Sequence, residues 1–164
     1  MGIDPGSNCT GYGVIEEIDS TLKVVHWGSL KSNPRQPFPQ RLKFIYDELI
    51  MVIRKFNPDE VAIEDMFFAT NVKSALKLGQ TRGIAVLSAV NEGKPVAEYS
   101  PLEVKQSVVG YGRAEKTQVQ DMVTSLLRLK EKPEPLDASD ALAVAICHVH
   151  AVTANLRIEA AKGI

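Results

Sequence analysis

The sequence is poor in cysteine, with only Cys9 and Cys147 in 164 residues and no CxxC spacing between them. This excludes a disulfide framework and predicts free thiols in a reducing cytoplasm. The chain also lacks an uninterrupted apolar run near the ~18 residues that a membrane span needs, and no secretory signal opens it. We therefore expect a cytoplasmic protein that does not associate with a membrane.

An excess of basic charge is missing as well, because the net charge is −1 and the pI is about 6.3. Nucleic-acid binding would therefore have to depend on local patches of lysine and arginine. The 45% apolar and 24% charged residues are ordinary for a soluble globular protein. At this length, residues 1–164 are expected to form one domain with a substantial core.

The first eighteen residues predict two strands joined by a turn. Gly2-Ile3-Asp4 is a short apolar strand, Pro5-Gly6 is a strong turn signal, and residues 11–18 form the second strand. Residues 22–30 predict a third strand and thus an antiparallel meander. Asp4 stands where the first strand ends, so its side chain either faces a ligand beside the turn or only caps the turn.

Helices and further strands alternate after the meander. A helix over residues 38–56 has a regular apolar face, and its polar side chains are predicted to face away, namely Arg41, Lys43, Asp47, Glu48 and Arg54. Residues 60–64 and 95–99 read as strands, the first of them buried and parallel. A helix is predicted from Ser100, which has capping-box spacing with Glu103, and another over 115–129. The last helix is predicted from Leu136, with one inner stripe rich in small residues. The sequence predicts an α/β fold with a mixed five-stranded sheet flanked by helices.

The helix predicted over residues 71–91, with Asn71 as its N-cap, has apolar residues on two sides. One stripe runs from Val72 to Val90 and includes Gly79 and Gly83, and a second contains Leu78, Ala85 and Ala89. In a protein of this size such a helix is either sandwiched inside the fold or part of a dimer interface. We favour a homodimer formed through this helix.

Four carboxylates occupy positions from which they could converge. Asp4 and Glu64 end neighbouring strands, and ligands of open α/β sheets bind outside such ends. Asp137 and Asp140 share one face of a helical first turn, where stabilisation of the helix dipole is an equally good explanation taken alone. Two carboxylates ~4 Å apart repel by about 4 kcal/mol at an effective dielectric of ~20. Divalent cations remove this repulsion, and two Mg²⁺ ions could clamp the oxygens of a phosphoryl displacement.

The basic residues near this predicted site are few. Lys105 and Lys116 flank the Gly110-Tyr-Gly112 segment, with Arg113 between them, and could bind phosphates. Solvated helix lysines are the plainer interpretation.

Phe67 could stack on an unpaired base or anchor its loop. A zinc site at residues 147–150 is disfavoured because adjacent helical positions point apart, and residues 110–117 lack the glycine pattern of a P-loop.

Several ordered motifs resemble the RuvC family of bacterial Holliday-junction resolvases. They are Gly2-Ile-Asp4-Pro-Gly-Ser with Thr10-Gly-Tyr-Gly-Val14, Ala62-Ile-Glu64, Ser74-Ala-Leu-Lys-Leu-Gly-Gln with Arg82-Gly83, Val104-Lys-Gln with Ala114-Glu-Lys-Thr-Gln118, and Asp137-Ala-Ser-Asp140-Ala-Leu-Ala. The resemblance extends from Gly2 to about His150, nearly the whole chain.

This resemblance implies a ribonuclease-H-like fold and a homodimer that nicks two strands of a four-way DNA junction. Asp4, Glu64, Asp137 and Asp140 match the family's catalytic metal ligands, for two Mg²⁺ ions that Mn²⁺ is expected to replace. Lys105 and Lys116 match its DNA-contacting or catalysis-assisting lysines, and Phe67 matches its stacking aromatic. The resemblance also implies cooperation with the RuvA–RuvB branch-migration complex.

Two departures from the family pattern bear on stability and DNA contact. Family members usually carry several apolar residues before Gly-Ile-Asp, whereas Met1 directly precedes Gly2 here. We expect a shorter central strand and a gain in stability when apolar residues are added. Thr70 stands where a basic residue is frequent, so one phosphate contact is expected to be absent.

Two other classes of function share some of these features. An ATPase lobe of the actin-like and sugar-kinase type also places Gly-Ile-Asp-x-Gly-Ser beside phosphate, but it needs two such lobes, and ATP binding by the chain would identify it. A non-catalytic DNA-binding module would not need four retained carboxylates, and Mg²⁺-dependent nicking of junction DNA would distinguish the nuclease from it.

Overall fold

A five-stranded sheet with helices on both faces forms the computed structural model, which describes residues 1–65 and 71–162. Its elements, in chain order, are β1 Gly2–Asp4, β2 Cys9–Ile18, β3 Thr21–Lys31, α1 Phe38–Phe56, β4 Val61–Glu64, α2 Val72–Asn91, β5 Val96–Tyr99, α3 Pro101–Val109, α4 Lys116–Leu126 and α5 Leu136–Lys162. The strand order is β3-β2-β1-β4-β5. Antiparallel pairing joins β1, β2 and β3, and parallel pairing joins β1, β4 and β5. The predicted mixed sheet is confirmed.

Helices α1 and α2 cover one face of the sheet. The apolar positions of α1, among them Ile45, Leu49 and Ile53, are fully buried against Ile3 and Ile63 of the central strands. Lys43, Asp47 and Arg54 are exposed as predicted. The prediction for Arg41 was wrong, because that side chain is buried with a relative exposure of 7%. It reaches polar groups below the helix that the helical periodicity could not reveal.

Helix α5 lies on the other face and is enclosed from two sides. Its small residues rest on the sheet, while α3 and α4 pack on its outer side. Residues 141–148 are consequently buried all round, whereas the sequence predicted a single inner stripe. By length and mean hydropathy (1.4) α5 could cross a membrane. Its burial gives the simpler explanation, since the core helices of soluble proteins pass the same test.

Helix ends follow the expected capping chemistry. The Asn71 side chain accepts hydrogen bonds from the backbone of Lys73 and Ser74, and Ser100 with Glu103 forms the predicted capping box. Helix α4 ends at Leu126, three residues earlier than predicted, since Arg128 adopts a positive φ of 51°. Glu115 and Gln118 form a capping box at the start of α4. These caps fix where α2, α3 and α4 begin, and α3 and α4 carry Lys105 and Lys116.

A groove of about 580 Å³ lies beyond the first residue of β1, between β2 and the segment that leads into β4. It is lined by apolar side chains that include Val14, Ile15 and Phe56, and by the acidic residues Glu16, Glu17, Asp59 and Glu60. The Met1 amine donates to the Glu60 carbonyl at 2.9 Å, and burial lowers the pKa of that amine to about 6.

Adding Val-Ile-Leu before Met1 should raise the melting temperature by about 3 °C or more, because apolar side chains fill the groove and an amide replaces a buried amine. Scanning calorimetry measures the change, with a Ser-Ser-Ser extension as the control. Equal melting temperatures for the two extensions would show that the groove does not accept a longer strand.

Candidate active site

The register of the sheet brings Asp4 beside Glu64. Parallel pairing places Gly2 opposite Ala62 and Ile3 opposite Ile63, so that the last residues of β1 and β4 are neighbours. Side chains two residues apart on a strand point to the same face. Asp4 and Glu64 therefore point to the face that Gly2 and Ala62 present to α5.

The first turn of α5 completes the cluster because it lies directly on β2. A Cβ at Gly11 would collide with the Asp137 carbonyl, so only glycine permits this approach. Asp4 is opposite Gly11 in the antiparallel register. Asp137 and Asp140 are thereby brought to the strand end that carries Asp4. Both aspartates contribute to the electrostatic environment of the Asp4 carboxyl group.

Burial and mutual repulsion dominate the electrostatics of the site. Burial, followed by the charges of Glu64 and Asp140, raises the pKa of Asp4 to about 8, and Asp137 adds a smaller effect. Burial and then Asp140 also raise the pKa of Glu64. A hydrogen bond joins the Asp4 and Glu64 side chains. Burial and the neighbouring carboxylates thus disfavour the ionised form of both groups.

Lys116 supplies the nearest positive charge. Its Nζ lies 2.6 Å from Asp140 Oδ2, and the Asp140 side chain is only 14% exposed. Burial alone would lower the pKa of Lys116, but the hydrogen bond and charge of Asp140 raise it above its ordinary value. Lys105 is half-buried on α3 and acts electrostatically on Glu64. Arg113 is exposed in the turn between α3 and α4.

The donor set suits a hard divalent cation. Carboxylate oxygens are the ligands that Mg²⁺ and Mn²⁺ prefer, and a cation would remove the repulsion that raises the pKa of Asp4. Over residues 1–65 and 71–162, however, no three acidic, histidine or cysteine side chains are already arranged to hold an ion. Lys116 is bound to Asp140, and Asp4 to Glu64. The residues fit a cation by type and location, and binding requires these two contacts to open.

Sequence reasoning missed Cys9, whose thiol pKa is raised by burial and, to a smaller extent, by the nearby Asp137. The alternation of Cys9, Gly11 and Gly13 on β2 was the available signal, because these positions share the face beneath α5. Phe67, the predicted stacking aromatic, and Thr70 lie outside the described residues.

The end of β4 is fixed by Arg82 of α2. Its Nε lies 3.1 Å from Asp65 Oδ1, and its guanidinium group also pairs with Glu98 on β5. The Asp65 amide donates to the Tyr99 carbonyl at 2.7 Å, one residue beyond the parallel ladder. Glu64 therefore projects from a strand end that is held from both the helix and the neighbouring strand.

Comparison with known proteins identifies close similarities along nearly the whole chain. The family model described as "Crossover junction endodeoxyribonuclease RuvC" matches residues 1–148. The protein of that name from Alkaliphilus oremlandii is 54% identical over 150 residues, which cover 92% of each chain. The Thermus thermophilus RuvC structure has a TM-score of 0.85 at 34% identity and covers 94% of this chain and 95% of that chain. T. thermophilus RuvC in complex with Holliday junction substrate has a TM-score of 0.84 at 36% identity, covering 90% of both.

Proposed function

The chain belongs to the family of the crossover junction endodeoxyribonuclease RuvC, and from this membership we propose that it resolves four-way DNA junctions as a metal-dependent endonuclease. The T. thermophilus relative bound to a Holliday junction supports the choice of substrate. Family membership also decides between the nuclease and the actin-like ATPase lobe in favour of the nuclease. The proposed activity belongs to DNA recombination and repair, and we propose the cytoplasm as its location.

The observation that carries the proposal for the site is the carboxylate cluster at the ends of β1 and β4 and the start of α5. Asp4, Glu64, Asp137 and Asp140 would hold the divalent ions, two per site, with Mg²⁺ as the metal and Mn²⁺ as its substitute. Ions held in this way would supply a water of lowered pKa and would neutralise charge on the scissile phosphate. Asp4 and Glu64 would have to be ionised to act as ligands, and a bound cation would favour that form.

The residues of the chain itself then orient the phosphodiester. Lys116 reaches the cluster from the N-terminus of α4 and, once Asp140 is occupied, its Nζ is free to donate to a phosphate oxygen. Lys105 approaches from α3 on the Glu64 side and is proposed to hold the neighbouring backbone, with the exposed Arg113 beside it. Phe67 is proposed to stack on an unpaired base at the crossover.

A second copy of the chain is the proposed partner at α2. Along this helix Val72, Leu76, Leu87 and Val90 are 73%, 62%, 46% and 55% exposed, and they form one stripe with Gly79 and Gly83. A Cβ at either glycine would meet nothing within 4 Å. An apolar stripe of this length on a soluble protein marks an interaction surface. A two-fold dimer would hold two active sites at the fixed separation that symmetric nicking of a junction needs.

Replacing both Leu76 and Leu87 by glutamate should therefore convert a dimer into a monomer of 18.0 kDa, because the charges cannot be buried in an apolar interface. Light scattering after size exclusion gives the mass. Ile18→Glu, at an exposed apolar position on β2, is the control and should remain dimeric. A monomeric wild type, or a double variant that still dimerises, would contradict an interface at α2.

The proposed function is tested by cleavage of a four-way junction and of a linear duplex with the same sequences. With Mg²⁺ we expect paired nicks in strands of like polarity in the junction and slow cleavage of the duplex. In EDTA we expect no cleavage of either substrate. Equal cleavage of both substrates would refute junction selectivity, and binding without cleavage would identify a non-catalytic DNA-binding module. Stimulation of nicking by RuvA–RuvB, the proposed functional partner, is measured in the same assay.

A further inference from the structure

Arg41 is a buried arginine whose partners lie in the turn that follows Asp4. Its Nε donates to Ser32 Oγ at 3.0 Å, and its terminal nitrogen donates to Asn8 Oδ1 at 2.6 Å and to the Ser7 carbonyl. Ser32 Oγ donates to the same Ser7 carbonyl at 2.8 Å, and the Ser32 amide donates to the Asn8 carbonyl at 3.0 Å. One guanidinium group thus joins α1, the end of β3 and the β1–β2 turn.

This guanidinium is paired with neutral oxygens. Within the described part of the chain, no carboxylate forms an ion pair with Arg41, although the side chain is only 7% exposed. The ring of Phe38 lies 5.7 Å from its Cζ. Burial of an arginine without an anionic partner is costly. An apolar side chain would fill the space under α1 without the cost of burying a charge. We therefore attribute the presence of arginine to its rigid set of hydrogen-bond donors.

The turn that Arg41 holds connects two parts of the active site. It begins directly after Asp4 and leads into β2 at Cys9, two residues before Gly11, which lies against the Asp137 carbonyl. Inside the turn, the fully buried Thr10 hydroxyl donates to the Gly6 carbonyl at 2.9 Å. The turn is therefore closed from within by Thr10 and fixed from outside by Arg41, so a shift of residues 5–8 would displace Asp4.

We propose that Arg41 is a positioning residue that fixes the Pro5–Asn8 turn and so keeps Asp4 in the geometry that binds the divalent metal. The proposal rests on the proposed metal-dependent nuclease function. A direct phosphate contact is the competing role for an arginine on this side of the molecule. The burial of Arg41 and the use of its Nε and of one terminal nitrogen, Nη2, by protein oxygens oppose that role.

The test compares Arg41→Met and Arg41→Lys with Arg54→Met. Arg54 is on the same helix but forms an exposed ion pair with Glu92, 2.9 Å away, at the other end. Mn²⁺ affinity is measured without DNA by electron paramagnetic resonance, well below each melting temperature. Junction affinity is measured by fluorescence anisotropy in Ca²⁺, and cleavage is measured against Mg²⁺ concentration.

We expect Arg41→Met to weaken Mn²⁺ binding about tenfold, as is usual when a group supporting a metal ligand is removed, and to shift the Mg²⁺ midpoint of cleavage upward equally. Junction affinity should stay within about twofold of the wild type, Arg41→Lys should recover part of the loss, and Arg54→Met should match the wild type. If Arg41→Met does not fold, Ser32→Ala removes the shared hydroxyl and should weaken Mn²⁺ binding in the same direction.

Two results would overturn the proposal. A folded Arg41→Met protein with unchanged Mn²⁺ affinity would show a role in stability alone, and a loss of junction affinity with unchanged Mn²⁺ affinity would show a phosphate contact. A failure of the proposed function is distinguishable, because a wild type that binds Mn²⁺ but does not cut junctions still allows the Mn²⁺ affinities of the variants to be compared.

Discussion

Asp4→Asn is expected to reduce junction cleavage by at least about a thousandfold and, at the same time, to stabilise the metal-free protein. Burial, followed by the charges of Glu64 and Asp140, raises the pKa of Asp4 to about 8. Asparagine has nearly the same shape and no charge, so it removes the repulsion without opening a cavity. The loss of a metal ligand and the gain in stability thus have one cause.

The pH dependence of this stabilisation follows from the raised pKa. The unfolded chain ionises Asp4 near pH 4, whereas the folded metal-free protein holds the proton up to about pH 8. The stability contributed by the protonated carboxyl group is complete below about pH 4 and is lost as the pH rises through the folded pKa. The melting temperature of Asp4→Asn should therefore exceed that of the wild type by more at pH 8 than at pH 5.

Calorimetry in EDTA measures both melting temperatures, and we expect a gain of about 3 °C or more at pH 8. Added Mg²⁺ should stabilise the wild type by mass action and leave Asp4→Asn nearly unchanged. Asp47→Asn, in an exposed ion pair on α1, is the matched control. A less stable Asp4→Asn protein at pH 8 would contradict the strained carboxylate cluster.

Lys116→Ala should reduce cleavage about a hundredfold, in the range found when one donor to a transition-state oxygen is removed, while metal binding is retained or strengthened. Lys116 Nζ occupies Asp140 Oδ2 at 2.6 Å in the absence of metal. Its removal therefore frees a ligand for the metal and takes away the hydrogen bond that Lys116 is proposed to donate to the scissile phosphate. Cleavage at saturating Mg²⁺ separates these two effects.

Mn²⁺ binding and single-turnover cleavage are the paired measurements for this variant. Lys105→Ala should also lower cleavage more than metal binding, and Lys43→Ala, at an exposed pair on α1, should change neither. Loss of bound metal in Lys116→Ala or Lys105→Ala would show that the lysine supports the metal site instead of the phosphate.

Much of the fold could be predicted from local patterns. Some features depend only on residues close together in the sequence, and their predictions agree with the structure. They are the strand that ends at Asp4, the apolar face of residues 38–56 and the caps at Asn71 and Ser100. The grouping of the four carboxylates required a further assumption, namely that the ends of β1 and β4 are adjacent. The parallel register of Ile3 with Ile63 supplies that link.

The features that could not be predicted depend on contacts distant in sequence. The burial of Arg41 follows from acceptors 9, 33 and 34 residues away, while its position in the helix suggested a solvated side chain. Similarly, the complete burial of residues 141–148 requires α3 and α4 to fold back over α5. The ion pair of Lys116 with Asp140 spans 24 residues, and helical periodicity contains no information about it.

Anomalous diffraction from crystals of the protein with junction DNA and Mn²⁺ is the most direct test of the central claim, that carboxylates from three separate elements form one metal site. We predict manganese peaks coordinated by Asp4, with Glu64 and at least one aspartate of α5 as further ligands, and Lys116 displaced from Asp140. Manganese bound elsewhere, or a site without Asp4 among its ligands, would contradict the account.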